Sequence, residues 1–233
     1  MGGSHSRSRP RTGPFRHCSG SKRASAERIL AVARALGHDR FALIGHDRGS
    51  YVASRLAFDH PGAVDRVVLM DSIPIVEHLD RITPEFATQW WHWFFFAQPH
   101  TPERVILADP DAWYHGDPER MGTENHDEWR RAMRNPRVVR AMLEDYRAGL
   151  TIDRRDEEAD RAAGRKMTQP LLVLGSLRDD LEQLFGDPRE IWRNWAVDVR
   201  GHRIDSGHHM AEDAPGELTD ALVEFLAREP GSA

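Results

Sequence analysis

Two short segments carry side chains whose types and spacing fit covalent catalysis. The first is Phe41-Ala42-Leu43-Ile44-Gly45-His46-Asp47-Arg48-Gly49-Ser50, an apolar run leading into Gly-x-Asp-x-Gly and then a helical pattern. Glycines two residues before and two after a central residue permit a turn sharp enough to push that side chain out over the end of a sheet. Here the residue is Asp47. A carboxylate attacking an ester carbonyl would make a reactive anhydride, whereas attack on saturated carbon makes a stable alkyl ester, so Asp47 points to displacement at saturated carbon. On its own the same turn would serve as an ordinary helix N-cap, and the remainder of the chain must decide between the two.

The second segment is Asp205-Ser206-Gly207-His208-His209, a small-residue loop ahead of a closing helix that Glu212-Asp213-Ala214-Pro215 opens. An imidazole here, downstream of the turn carrying Asp47, stands where a parallel α/β sheet can supply a general base. His208 is preferred to His209 because it directly follows Gly207. A base needs an orienting acid. Asp71 follows the apolar run Val67 to Met70, and Asp179 or Asp180 follows Leu171 to Leu174, so two strand ends offer a carboxylate and spacing leaves both open. A metal centre built from His202, His208, His209 and Asp205 lacks an ordered ligand set, and neither a metal nor a cofactor is expected.

These groups can converge only if the elements around them form a sheet. Phe41 to Ile44, Val67 to Met70 and Pro170 to Gly175 read as strands buried on both faces, and Val197 to Val199 as a last short strand. Ser25 to Leu36, ended by Gly37, is an amphipathic helix, Ser50 to Phe58 a second, Arg189 to Trp195 a third and Pro215 to Ala227 the closing one. Strand, helix, strand around Asp47 makes a parallel crossover unit. Between Pro74 and Thr168 the strand signal vanishes and helices at Pro84 to Gln98, Asp127 to Arg134 and Pro136 to Ala148 take over. The expected architecture is α/β: a core over residues 23–75 and 169–230, a helical insertion over 76–168, and an irregular Arg-, Ser- and Pro-rich segment over 1–22.

Composition bounds the partners. The 233 residues, 39% hydrophobic and 30% charged, suffice for one substantial core. A net charge of -5 gives no electrostatic reason to expect nucleic acid or an anionic membrane. The single cysteine, Cys18, excludes an internal disulfide framework. No apolar run approaches the roughly 18 residues of a membrane span, and no secretory segment follows Met1, so the expectation is a cytoplasmic protein with a small-molecule substrate. The seven tryptophans are unevenly spread: Trp90, Trp91 and Trp93 crowd beside Phe94, Phe95 and Phe96.

Several stretches together resemble a known group. Gly45-His46-Asp47-Arg48-Gly49, Asp59-His60-Pro61, Val68-Leu69-Met70-Asp71-Ser72-Ile73-Pro74, Trp91-His92-Trp93-Phe94-Phe95, Ala108-Asp109-Pro110-Asp111, Asp145-Tyr146-Arg147-Ala148-Gly149 and Gly207-His208 are similar to the α/β-hydrolases that act as haloacetate (fluoroacetate) dehalogenases. Those enzymes are close relatives of the soluble epoxide hydrolases. The resemblance covers roughly residues 22 to 228. It implies an α/β-hydrolase fold with a helical cap, Asp47 as the nucleophile that displaces halide, and His208, oriented by Asp71 and not Asp179, as the base that activates water. It further implies that His92, Trp93 and Tyr146 donate hydrogen bonds to the departing halide and that Arg48 helps hold the substrate carboxylate. The remaining cluster aromatics, Trp90 and Phe94 to Phe96, are expected to be helix core.

Two departures from the group's pattern stand out. One helical step after Arg48, dehalogenases of small haloacids carry a second Arg; here the position is Tyr51, which can donate one hydrogen bond to a carboxylate but brings neither charge nor fork. The group also has further strands ahead of the helix near Ser25, so the chain is expected to lack N-terminal strands, to expose a sheet face and to seek a partner, with a homodimer as one outcome. The reading is a hydrolase with an aspartyl-ester intermediate, a haloacid dehalogenase first. An epoxide hydrolase, and a truncated inactive relative acting as an interaction module, are the alternatives.

Overall fold

Apolar runs flanked by helical patterns become four strands, all parallel and hydrogen-bonded in sequence order: β1 (Phe41–His46), β2 (Val64–Met70), β3 (Leu171–Ser176) and β4 (Val199–Ile204). The structure is a computed structural model that describes residues 20–113 and 116–227. Cys18 and all but the last three residues of the expected irregular segment lie outside them. The last three correct that expectation: Ser21 caps α1 (Lys22–Ala35) by accepting from the Ala24 N–H, and Lys22 is buried, so the helix starts three residues before Ser25.

Alternation along the central strands builds a core on each face of the sheet. Val67, Leu69, Leu171 and Val173 pack with Ala26 and Leu30 of α1 and with Ala53, Leu56 and Ala57 of α2 (Arg48–Asp59). Val68, Met70, Leu172 and Leu174 pack on the opposite side against Leu218, Ala221 and Phe225 of the C-terminal helix, Pro215–Ala227. Burial on both faces is why these strands are unbroken apolar runs. β4 differs. Its residues Arg200, His202 and Arg203 give it no such run, and the strand begins at the last residue of the stretch expected at Val197 to Val199 and continues to Ile204. It is an edge strand, where charge is tolerated and discourages further pairing.

Between β2 and β3 the described chain is helical: α3 (Ile75–Asp80), α4 (Pro84–Gln89), α5 (Trp91–Phe96), α6 (Thr101–Ala108), α7 (Pro110–Trp113), α8 (Pro118–Met121), α9 (Thr123–Met133), α10 (Pro136–Ala148), a π turn at Gly149–Asp153 and α11 (Arg154–Ala162). The helix expected over Pro84 to Gln98 is two, because the chain leaves helical geometry at Trp90 (φ -105°, ψ 31°) and α5 sets off in a new direction. α11 has no apolar stripe to read in the sequence. It is anchored by charge, with buried Asp160 accepting from Arg55 of α2 at 2.6 Å and from Arg165. Phe96, Ile106, Val139 and Leu143 form a core inside this helical layer, and Tyr51, Ile73, Ile75, Phe86, Trp93 and Phe185 join it to the sheet. After β3 come α12 (Leu181–Phe185) and α13 (Pro188–Trp192); after β4 come α14 (Met210–Asp213) and the closing helix α15 (Pro215–Ala227).

Candidate active site

Asp47 sits between β1 and α2 with φ 50° and ψ -122°, a conformation that costs a non-glycine residue energy and persists where the surroundings impose it. The surroundings are identifiable. Its N–H donates to Met70 O at 3.1 Å, the Ser50 N–H donates to Asp47 O at 3.0 Å, and the buried Ser50 hydroxyl bonds Gly45 O at 2.8 Å. Gly45 is obligatory, since a Cβ there would lie 2.6 Å from Gly49 O and 2.7 Å from the Ser50 Cα. Gly49 is not held by the same constraint, because a Cβ there would meet nothing within 4 Å among the described residues. Asp47 occupies the N-cap position without making a side-chain capping bond, so its carboxylate is left for the cavity it faces.

His208 lies across that cavity. Its Nδ1 is 2.7 Å from Asp71 Oδ2 and 3.1 Å from Asp179 Oδ2. One acid from each of the two strand ends left open by spacing, Asp71 and Asp179, is therefore on the same ring nitrogen. Asp71, buried at the end of β2 and also at positive φ (49°), accepts the Ser176 N–H on its other oxygen at 3.2 Å, which fixes its orientation. Burial raises the Asp71 pKa, and His208 opposes this. For Asp179, burial acts upward but the bonds to His208 and Asp71 win, and its carboxyl is held below the usual range. Burial alone would lower His208; the bonds from Asp179 and Asp71 and the field of Asp47 outweigh it, and the imidazole is pushed up to about 10. With Nδ1 committed to the acids, Nε2 is the atom that can take a proton from water.

The loop carrying His208 is tied down on every side. The Gly207 N–H donates to Asp213 Oδ2 at 2.8 Å, Gly207 O accepts from the Ser176 hydroxyl at 3.0 Å, and His208 O accepts from His46 Nε2 at 2.7 Å. His46 is the unassigned middle residue of the Gly-x-Asp turn. Its ring packs 4.7 Å from that of His208, and burial together with the neighbouring imidazole lowers its pKa, so it stays neutral and acts as a donor. Nothing in the sequence singled out His46 apart from its place beside Asp47.

The helical layer supplies the opposite wall. Gln89, Trp90, His92, Trp93 and Tyr146 join Asp47, Asp179, Asp180 and His208 around a cavity of about 310 Å³. His92 is neutral: burial, reinforced by Arg48, drives its pKa down to about 4. Burial also raises the Tyr146 pKa, so the phenol keeps its proton. Trp90, expected as core, does more than pack. Its indole N–H donates to both carboxylate oxygens of Asp180 at 3.1 and 3.0 Å and so ties the helical layer to the loop that holds Asp179. Phe94, Phe95 and Phe96 pack within the aromatic cores as expected.

Two of the residues expected at the substrate, Tyr51 and Arg48, do not line the cavity. Tyr51 is buried beneath the cavity, and its hydroxyl is 3.1 Å from Nε2 of His78, a fully enclosed imidazole whose pKa burial drives to about 3. That partner engages the Tyr51 hydroxyl, and Tyr51 is not on the cavity wall. Arg48 turns its Nε and Nη2 to Asp145 of α10, and its guanidinium carbon lies 3.6 Å from the centre of the Tyr146 ring. It reaches the site from behind Tyr146. The ring of His209 lies 5.4 Å from that of His208, but among the described residues the group of three that could converge on a cation is Asp71, Asp179 and His208, the hydrogen-bonded acid–imidazole group described above. No described helix is long and apolar enough to cross a membrane.

A family model for the alpha/beta hydrolase fold matches residues 1–215. The chain is 33% identical over 225 residues to a fluoroacetate dehalogenase of Burkholderia sp, covering 91% of this chain and 71% of that protein. It is 28% identical over 218 residues to a soluble epoxide hydrolase of Corynebacterium sp. (strain C12), covering 88% and 73%. Among solved structures, a candidate epoxide hydrolase from Pseudomonas aeruginosa superposes with a TM-score of 0.83 at 39% identity, over 91% of this chain and 74% of that one. A candidate α/β-hydrolase from Nostoc sp PCC 7120 gives 0.87 at 36%, over 95% and 78%. A parallel sheet with an aspartate on its strained strand-to-helix turn, an imidazole backed by acid and a helical wall over both thus stands in a chain that belongs to the α/β-hydrolase family and is related to dehalogenases and epoxide hydrolases.

Proposed function

We propose that the chain hydrolyses a carbon–halogen bond in a small haloacid such as haloacetate, through an ester on Asp47. The observation that carries this reading is the convergence of a strained aspartate, an acid-backed imidazole and neutral N–H and O–H donors on one cavity. In the first step an Asp47 oxygen attacks the halogen-bearing carbon. The C–O bond forms as the carbon–halogen bond breaks, and the halide departs towards His92, Trp93 and Tyr146. In the second, Nε2 of His208 takes a proton from water, the hydroxide adds to the Asp47 carbonyl, and the ester opens to a hydroxyacid and free Asp47.

The electrostatics support the order of these steps. The charges of Asp179, Asp71 and Asp47 all raise the His208 pKa. Esterification removes one of those charges, which lowers the His208 pKa when a base is needed. The wall composition separates halide from alkoxide as leaving group. A halide needs only hydrogen bonds, which indole, imidazole and phenol can give, whereas an opening epoxide needs a proton delivered to oxygen, and only the phenol of Tyr146 is suited to that.

Epoxide hydrolysis is the second reading, favoured by one specific observation: the Arg48 guanidinium is engaged by Asp145 and the Tyr51 hydroxyl by His78, which suits a neutral substrate. One experiment addresses both. Halide and glycolate are measured from fluoroacetate and chloroacetate, diol from styrene oxide, and intact mass is recorded for His208→Gln after each. The expected result is halide release by the unaltered chain and a carboxymethyl ester trapped on Asp47 in the variant. A hydroxyalkyl adduct with diol and no halide replaces the first reading with the second, and no adduct from any substrate sinks both in favour of an interaction module.

A further inference from the structure

Lys22, the first residue of α1, is 1% exposed and carries its ammonium into the seam between α1 and α10. A lysine is kept at such depth only against partners. Its Nζ donates to Asp145 Oδ1 and, at 3.3 Å, to the Asp145 main-chain oxygen; it lies 3.8 Å from Asp153 Oδ2, and the Lys22 N–H donates to Asp153 Oδ1 at 2.9 Å. The other Asp145 oxygen, Oδ2, takes Nε and Nη2 of Arg48. Asp145 is thus a carboxylate held between two cations, one of them next in sequence to the nucleophile.

The charges along this row decide what Arg48 can do. Arg48 with Asp145 alone would be a neutral pair, and an approaching carboxylate would meet Asp145 as a competitor for the same guanidinium. Lys22 takes one oxygen of Asp145, so Lys22, Asp145 and Arg48 together carry one net positive charge, which Asp153 offsets at the Lys22 end of the row, 3.8 Å from its Nζ. Asp153 bonds Lys22 and makes no contact with Arg48 among the described residues. One helical step on from Arg48, Tyr51 contributes no charge and spends its hydroxyl on His78. We infer that Lys22 is a positioning residue for an anionic substrate: by neutralising Asp145 it keeps the charge of Arg48 available to a substrate carboxylate. The inference deepens the haloacid reading and rests on it for its biological meaning. A residue that only pinned α1 to α10 would show the same contacts but no preference for the charge of the ligand.

Quenching of the cavity tryptophans by acetate and by acetamide, which differ in charge and little in shape, reads binding without turnover. The chains compared are the unaltered one, Lys22→Met, Lys22→Arg, Asp145→Asn and the double variant Lys22→Met with Asp145→Asn. The expected result is that Lys22→Met lowers acetate affinity about tenfold more than acetamide affinity. Lys22→Arg retains the preference, and the double variant recovers it because Arg48 is released. Equal losses for both ligands, a double variant no better than Lys22→Met, or no preference for acetate in the unaltered chain each overturns the inference. Should Lys22→Met fail to fold, Asp145→Asn decides: acetate binding at least as tight as in the unaltered chain supports it, and weaker binding overturns it. Halide release from chloroacetate in parallel keeps the two readings apart. Lys22-dependent acetate binding without release removes the dehalogenation reading alone, and release with Lys22-independent binding removes this inference alone.

Discussion

Nδ1 of His208 faces two carboxylates, and that duplication changes what removal of either should do. Where one acid orients the base, its loss costs roughly 10⁴-fold in turnover, because the imidazole settles in the wrong tautomer. Here Asp71→Asn leaves Asp179 at 3.1 Å to accept the same N–H, so the loss in kcat is expected to fall well short of that. Asp179→Asn should cost less still, since the buried, doubly anchored Asp71 remains at 2.7 Å. Single-turnover ester hydrolysis measured across pH tests the assignment. With the neutral form of His208 as the proposed base, the rate is expected to rise with pH and level off above the working pKa. Asp179→Asn removes a group that raises this pKa and should move the limb to lower pH, and an unmoved limb would show that Asp179 does not act on the ring. The same shift affects stability. His208 is raised above its ordinary value to about 10, so its ion pairs stabilise the fold fully below about pH 6.5 and lose that contribution as pH rises through 10.

At the scale of the element, the turn between β1 and α2 explains why a short motif can be read so far. Gly45 has the Gly49 carbonyl and the Ser50 Cα within 2.7 Å of where a Cβ would stand, so Gly45→Ala must displace backbone. A loss on the order of 1–3 kcal/mol in urea unfolding is expected, with turnover falling further because Asp47 moves with the turn. Gly49→Ala meets open space and should change stability by less than about 0.5 kcal/mol. Equal effects at both positions would mean that the motif's two glycines serve backbone freedom alike, against the geometry. The break at Trp90 also belongs to this scale. A run as continuous as Trp90-Trp91-His92-Trp93-Phe94-Phe95-Phe96 carries no stop signal, yet the turn at Trp90 is what lets its indole reach Asp180 while His92 and Trp93 face the cavity.

Over the whole molecule, the two edges of the sheet are unlike. β4 carries Arg200, His202 and Arg203, whereas β1 presents Ile44 at 47% exposure in a groove with Ile29 of α1, the helix whose exposed residues also include Val32. An apolar edge and helix face of this kind promotes self-association, and charge on it opposes that. Ile44→Lys combined with Val32→Glu is expected to reduce concentration-dependent light scattering of the described fold. Scattering that is the same in both chains would show that this face does not drive association.

How far the sequence reached follows from where the information lies. The strands with both faces buried, the closing helix at Pro215 to Ala227 and the helix at Pro136 to Ala148 were legible because burial imposes a local periodicity, and Asp47 was legible because a sharp turn imposes glycine at a fixed spacing. β4 and α11 were not, because an edge strand and a helix anchored by ion pairs need no apolar pattern. The partners of individual side chains were beyond local reading altogether. That Tyr51 spends its hydroxyl on His78, that Asp71 and Asp179 share one nitrogen, and that Asp145 stands between Lys22 and Arg48 are contacts between residues 27 to 137 positions apart. Sequence alone determined where the strained strand-to-helix turn and its aspartate lie, since residue type and short-range backbone geometry fix both. Only the tertiary structure decided which charges surround that aspartate, since electrostatic fields depend on distances in space that the packing of remote elements sets.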